Sequence, residues 1–163
     1  SGPHRAATET SQPTMRQMYR TILLSYDGSR EAREALRQGA DLARAISAAV
    51  HLLAIITPEQ SEPLVEGGAS SGLTELERDE VHRILDEGTA QLRGSGLDVQ
   101  AHLAYGNAAE EIGRVARRVG ADLVVVGHRE QGRLSRWWRG SVGASLLSHA
   151  PCSILVAVSH AED

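Results

Sequence analysis

Three observations in the sequence predict an α/β domain with a parallel sheet covered on both faces. Short aliphatic runs alternate with stretches whose apolar residues recur at helical spacing. Gly, Asp or Pro punctuates the ends of these runs, as turns between elements require. With no Phe and few other aromatics among 163 residues, the core must be aliphatic. A chain of this length fits one domain and buries about two-thirds of its unfolded surface.

Tyr19 to Ser25 is an apolar run closed by Asp27-Gly28-Ser29, which reads as a buried strand, a turn and a helix start. From Ser29, apolar residues fall at Ala32, Leu36, Ala40, Ala43 and Ile46, one face of a helix. Val50 to Ile56 is the second strand, ended by Thr57-Pro58. Glu59 to Gly72 is rich in Gly, Ser and Glu and reads as a loop longer than most connections in a compact domain. Leu73, Leu76, Val81, Ile84, Leu85 and Leu92 mark a second helix, with Gly94-Ser95-Gly96 as its stop. Leu97, Val99, Ala101 and Leu103 alternate, which suits a half-buried edge strand. Asn107 is placed to cap a third helix with Glu110 three residues on, and Ala108, Ile112, Val115, Ala116 and Val119 form its buried stripe. Asp122 to Val126 is apolar enough for the middle of a sheet. Ser141 to His149 is a short helix, and Cys152 to Val158 the last strand. Right-handed crossovers between parallel strands leave few topologies for this order.

Composition narrows the function. The formal net charge of −4 gives no support for general nucleic-acid binding, and scarce aromatics leave no stacking platform for single strands. No apolar run approaches the roughly 20 residues that cross a bilayer, so no membrane partner is expected. The lone Cys152 forms no internal disulfide and makes no metal site by itself, which makes a reducing cytoplasm the default location. Residues 1–18 read as a disordered leader or expression remnant, residues 19–158 as the folded domain and 159–163 as a tail. The seven histidines are scattered without zinc-ligand spacing. His51 and His102 fall on strand faces, and His149 ends a helix where its charge suits the dipole.

The candidate site lies at the carboxyl ends of the strands, where open α/β sheets bind ligands at a reversal of strand order. Two such ends carry suggestive residues: Asp27-Gly28-Ser29 after the first strand, and the stretch from Gly127 to Ser141 after the fourth. Glycines let a backbone approach a phosphate, and Ser141 opens a helix whose free N–H groups favour an anion. The same glycines also serve simply to end a strand and begin a helix. Gly127-x4-Gly132 begins like a P-loop, but Arg133-Leu134 stands where the phosphate lysine and magnesium hydroxyl should follow. No Gly-x-Gly-x-x-Gly follows the first strand, so the dinucleotide fingerprint is missing too. Gly68-Ala69-Ser70-Ser71-Gly72 matches a nucleophile-elbow pattern without the strand that an elbow requires before it.

From Tyr19 to Val158 the chain resembles the universal stress proteins. The resemblance rests on Asp27-Gly28-Ser29, Gly106 to Ile112, Ala121 to Gly127, Gly140-Ser141-Val142 and His149 to Val156, in that order and spacing. It implies the adenine nucleotide alpha-hydrolase-like fold: an open five-stranded parallel sheet of order 3-2-1-4-5, with a nucleotide cleft between strands one and four. In the ATP-binding branch the loop follows Gly-x2-Gly-x9-Gly-Ser/Thr. By that template Asp27 faces the ribose and the Ile55 backbone meets the adenine, while Gly127, Gly140, Ser141 and the Val142 amide line the phosphates.

This chain departs from the template at the second loop glycine, which is Glu130. A carboxylate near 4 Å from a phosphate charge repels it by about 1 kcal/mol in water and several times more when partly buried. Arg129, with Arg133, Arg136 and Arg139, can offset that repulsion, or Gly132 can take over the turn; the bland alternative for the arginines is a solvated loop. The expected ligand is therefore ATP or AMP, shifted toward species with fewer phosphates, with magnesium entering only alongside ATP. Trp137-Trp138 either covers a ligand or partner site, or supplies packing beneath the loop. The last strand, Ser153 to Val158, is a long apolar edge that invites pairing. In the resembled family it often pairs with its twofold mate, which implies a homodimer. The leading function is stress-associated adenine-nucleotide binding. A nucleotide-independent dimeric interaction module that has lost ATP through Glu130 is the alternative. A slow nucleotide hydrolase stands last, because Asp27 and Glu130 are the only obvious carboxylates of the cleft and no positioned base is evident.

Overall fold

A computed structural model describes residues 18–57, 75–129 and 141–159. Five strands, β1 (Thr21–Ser25), β2 (Ala49–Ile56), β3 (Val99–Tyr105), β4 (Leu123–Arg129) and β5 (Ser153–Ser159), form one sheet in the order β3-β2-β1-β4-β5. Every pairing is parallel. The described helices are α1 (Arg30–Ile46), α2 (Glu75–Gly94), α3 (Ala108–Val119) and α4 (Ser141–His149). None of them is long and apolar enough to cross a membrane.

The aliphatic runs are continuous because both faces of the sheet are covered. In β1, Ile22 and Leu24 pack with Ala35, Leu36 and Leu92 beneath α1 and α2. Leu23, between them, packs with Ile112, Val115 and Leu146 on the α3 and α4 side. All three β1 side chains are essentially inaccessible to water. Burying a leucine this completely contributes about 1.5–3 kcal/mol.

Local chemistry sets the helix ends. Ser29 caps α1 by accepting the Ala32 amide, and Asn107 caps α3 by accepting that of Glu110. At the end of α2 the Leu97 amide reaches back to the Leu92 carbonyl, with Gly96 left-handed at φ +83°, so Gly94 to Gly96 do stop the helix. Gly120 ends α3 in the same way. Across the sheet, the Asp122 carboxylate accepts from the backbone amides of Arg20 and Thr21 at 2.8–3.1 Å. That clasp ties the entry of β1 to the entry of β4.

Two expectations need correction. Leu76 does not belong to the buried stripe of α2, because it is 80% exposed in the first turn. The face of β3 bearing Val99, Ala101 and Leu103 is buried only at Val99. An edge strand has a neighbour on one side alone, so cover thins outward. The better-buried side of β3 carries His102 and Ala104, toward α3.

Candidate functional site

The strand order reverses between β1 and β4, since β1 connects through α1 to β2 on one side while β4 leads to β5 on the other. Pairing between these two central strands runs from Ile22↔Leu123 to Leu24↔Val125. Beyond that point each turns to its outer neighbour. Tyr26 donates its amide to the Leu53 carbonyl of β2 at 2.9 Å, and β4 keeps pairing with β5 to Arg129↔Ser159. The two strand ends therefore part, and a crevice opens at the reversal.

Asp27 lies on the β1 side of this opening and is exposed. Its Oδ1 accepts the Ser29 amide at 2.9 Å, shaping the turn in which Gly28 adopts φ +78° and from which α1 starts. Ile55, half-buried, lies two residues past Leu53, the partner of Ser25, as Asp27 lies two residues past Ser25 itself. Gly127 lies on the β4 side. A Cβ there would come within 2.7 Å of the Glu31 carbonyl oxygen and 2.9 Å of its carbon, both backbone atoms of the first turn of α1. The glycine thus lets the end of β4 press against the start of α1, a packing reason that motif spacing does not reveal.

Asp27, Ile55 and Gly127 are accordingly brought to one end of three adjacent strands. Arg129 is the last residue of β4, and Ser141 and Val142 open α4. Glu130, Gly132, Gly140, the loop arginines and Trp137-Trp138 lie outside the described residues, as does the Gly68 to Gly72 segment.

Sequence reasoning missed a polar cluster beside the crevice. Tyr26, only 1% exposed, follows the last residue of β1 and donates its hydroxyl to Glu87 of α2 at 3.2 Å. Arg33 of α1 donates to the same carboxylate at 3.0 Å. Burial is the main cause that raises the Tyr26 phenol above its ordinary value, so it remains a neutral donor. The cluster ties α1 to α2 where the sheet opens. An aromatic residue directly before Asp27 was its only sequence signal. Gly88 belongs to the same packing, since a Cβ there would meet the Tyr26 ring at 2.7 Å.

These features define an open, doubly wound parallel α/β protein with a crevice at its topological switch point. Residues 18–158 match the model of the universal stress protein family, and the chain belongs to that family. A universal stress protein of Synechocystis is 30% identical over 94% of each chain. The crystal structure of a family protein from Burkholderia pseudomallei is also 30% identical, with a TM-score of 0.67 over 85% of this chain and 96% of that one. An Arabidopsis thaliana family protein solved with AMP bound shares the fold at 18% identity, with a TM-score of 0.61 over 87% of this chain and 93% of that one.

Proposed function

We propose that this chain is a stress-associated binding protein that takes an adenine nucleotide in the crevice between β1 and β4, preferring species with fewer phosphates. The observation that carries the reading is the parting of β1 and β4 beyond Leu24↔Val125, flanked by Asp27 and Gly127. Asp27 approaches the ribose, the Ile55 backbone meets the adenine edge, and Gly127, Gly132, Gly140, Ser141 and the Val142 amide surround the phosphates. Ser141 and Val142 supply N–H groups at the positive end of α4. AMP in the Arabidopsis relative supports the ligand class. Glu130 opposes a triphosphate, with Arg129 as its nearest basic neighbour in sequence. Magnesium accompanies ATP only. The protein acts through binding in a cytoplasmic setting, with no catalytic group assigned.

Calorimetric titration with ATP, ADP and AMP tests this reading. AMP should bind at least as tightly as ATP, and Glu130→Gly should improve ATP affinity by about fivefold or more, the equivalent of about 1 kcal/mol. No binding of any of the three at millimolar concentration, or tight ATP binding that Glu130→Gly leaves unchanged, would overturn it.

A specific observation also favours homodimerisation through β5. This strand forms one edge of the sheet, and Leu155 and Val158 are 38% and 40% exposed. Pairing of two such edges would cover them. Light scattering at tens of micromolar should give twice the monomer mass; a monomer refutes this interface. Mass spectrometry of gently purified protein separates the nucleotide reading from a nucleotide-independent interaction module, which predicts a clean apo dimer.

A further inference from the structure

His51 and His102 are scattered in sequence and adjacent in space. They lie on β2 and β3 on the side covered by α3, one register step apart, since His51 pairs with Gln100 and Leu53 with His102. His51 Nδ1 and His102 Nε2 are 2.9 Å apart, with ring centroids separated by 5.1 Å. From α3, a guanidinium nitrogen of Arg118 lies 3.2 Å from His102 Nδ1.

These contacts fix where the protons sit. A guanidinium only donates, so His102 Nδ1 must accept and its single proton lies on Nε2. That N–H donates to His51 Nδ1, which places the His51 proton on its own Nε2. The bonds therefore run in one direction, from Arg118 to His102 to His51. An added proton has no place in this chain. On His51 Nδ1 it meets the Nε2–H of His102, and on His102 Nδ1 it meets the Arg118 donor. Protonating either ring breaks a link.

We propose that Arg118, His102 and His51 form an acid-sensitive latch that holds the C-terminal end of α3 to the β2–β3 edge of the sheet and releases it when either imidazole is protonated. The surroundings favour the neutral, latched form. β1 presents Leu23 beside His51, and Leu53 stands beside His102. On α3, Arg114 lies one turn before Arg118 and is paired with Glu111 at 2.6 Å. Among the described residues no carboxylate pairs with either ring to stabilise an imidazolium. Burial lowers the basicity of both rings below the ordinary value near 6.5, and for His102 the neighbouring His51 and Arg118 lower it further. The Arg118 cation also opposes a metal ion between the rings, and no group of three potential metal ligands occurs among the described residues.

The linkage has a definite sign. The unfolded chain takes up protons near pH 6.5, before the folded chain does, so stabilisation is full above that value. It is lost as pH falls from there through the lower folded values. Release of α3 also reaches α4, because Arg117, next to the latch, donates to the His149 carbonyl at 2.7 Å.

The test uses the full chain without nucleotide, so it stands apart from the ligand proposal. Histidine nitrogen spectra should show both rings as Nε2–H tautomers near pH 7.5, titrating below about 6.5. Over the same range, the opening constant for amides of β3 and the last turn of α3 should rise by up to about tenfold per pH unit per proton taken up. Arg118→Gln, an exposed change that keeps the fold, should move the His102 midpoint upward. A second variant, His102→Gln, should flatten the pH dependence of opening. An Nδ1–H tautomer of His102 at neutral pH, an ordinary wild-type midpoint, or an unmoved midpoint in Arg118→Gln would overturn the latch.

Discussion

Replacing Gly127 with alanine separates the two reasons a glycine can occupy the end of β4. The added Cβ would stand 2.7 Å from the Glu31 carbonyl oxygen, 2.9 Å from its carbon and 3.2 Å from the Ala32 amide nitrogen. Ordinary contact begins at 3.4 Å, so strand and helix must separate by about 0.7 Å. Neither side can yield by turning a side chain. β4 is held by its ladder to β5, and the first turn of α1 by the Ser29 cap. Overpacking costs about 1–3 kcal/mol, and a clash between two backbones belongs in the upper half of that range. For a domain of this size, about 2–3 kcal/mol lowers the melting temperature by about 4–12 °C. Thermal and urea unfolding of the nucleotide-free protein measure it. Gly94→Ala is the control, because a Cβ there has open space within 4 Å and should cause no loss. If Gly127→Ala melts within about 1 °C of wild type while binding nucleotide poorly, the packing argument is wrong and the glycine serves the ligand alone.

Two further substitutions probe what holds the sheet and its helices. Asp122→Ala removes the acceptor of the Arg20 and Thr21 amides and should cost about 1–3 kcal/mol; unchanged hydrogen exchange at these amides would refute the clasp. Glu34 is held at about 2, well below its ordinary 4.5, chiefly by a hydrogen bond from Arg37 and also by Gln38. Its contribution is present above pH 4.5 and lost as pH falls through about 2, so Glu34→Gln should flatten the stability profile there. The pair is at the surface, so the effect should stay within about 1 kcal/mol and shrink in salt. A profile identical to wild type across that window would exclude the contribution.

Much of this architecture is legible in the chain because it rests on short-range rules. Ser29 and Asn107 accept from amides three residues on, and Gly96 and Gly120 close their helices within one turn. Such bonds depend on neighbours in sequence. Leu76 shows the limit, since helical spacing identifies a stripe without saying how far along the helix the core extends. The candidate site divides in the same way. Asp27 and Gly127 stand out as turn-forming ends of apolar runs, whereas Tyr26, Arg33 and Glu87 converge only when α1 and α2 lie side by side.

The sequence by itself determined the alternation of strands and helices, their caps, and the two strand ends that flank the crevice. Only the tertiary structure decided that Gly127 presses on the backbone of α1 and that His51, His102 and Arg118 share one directed set of hydrogen bonds. The physical reason is register. Periodicity assigns a residue to a face, but parallel pairing between strands distant in the chain decides which residues on that face touch.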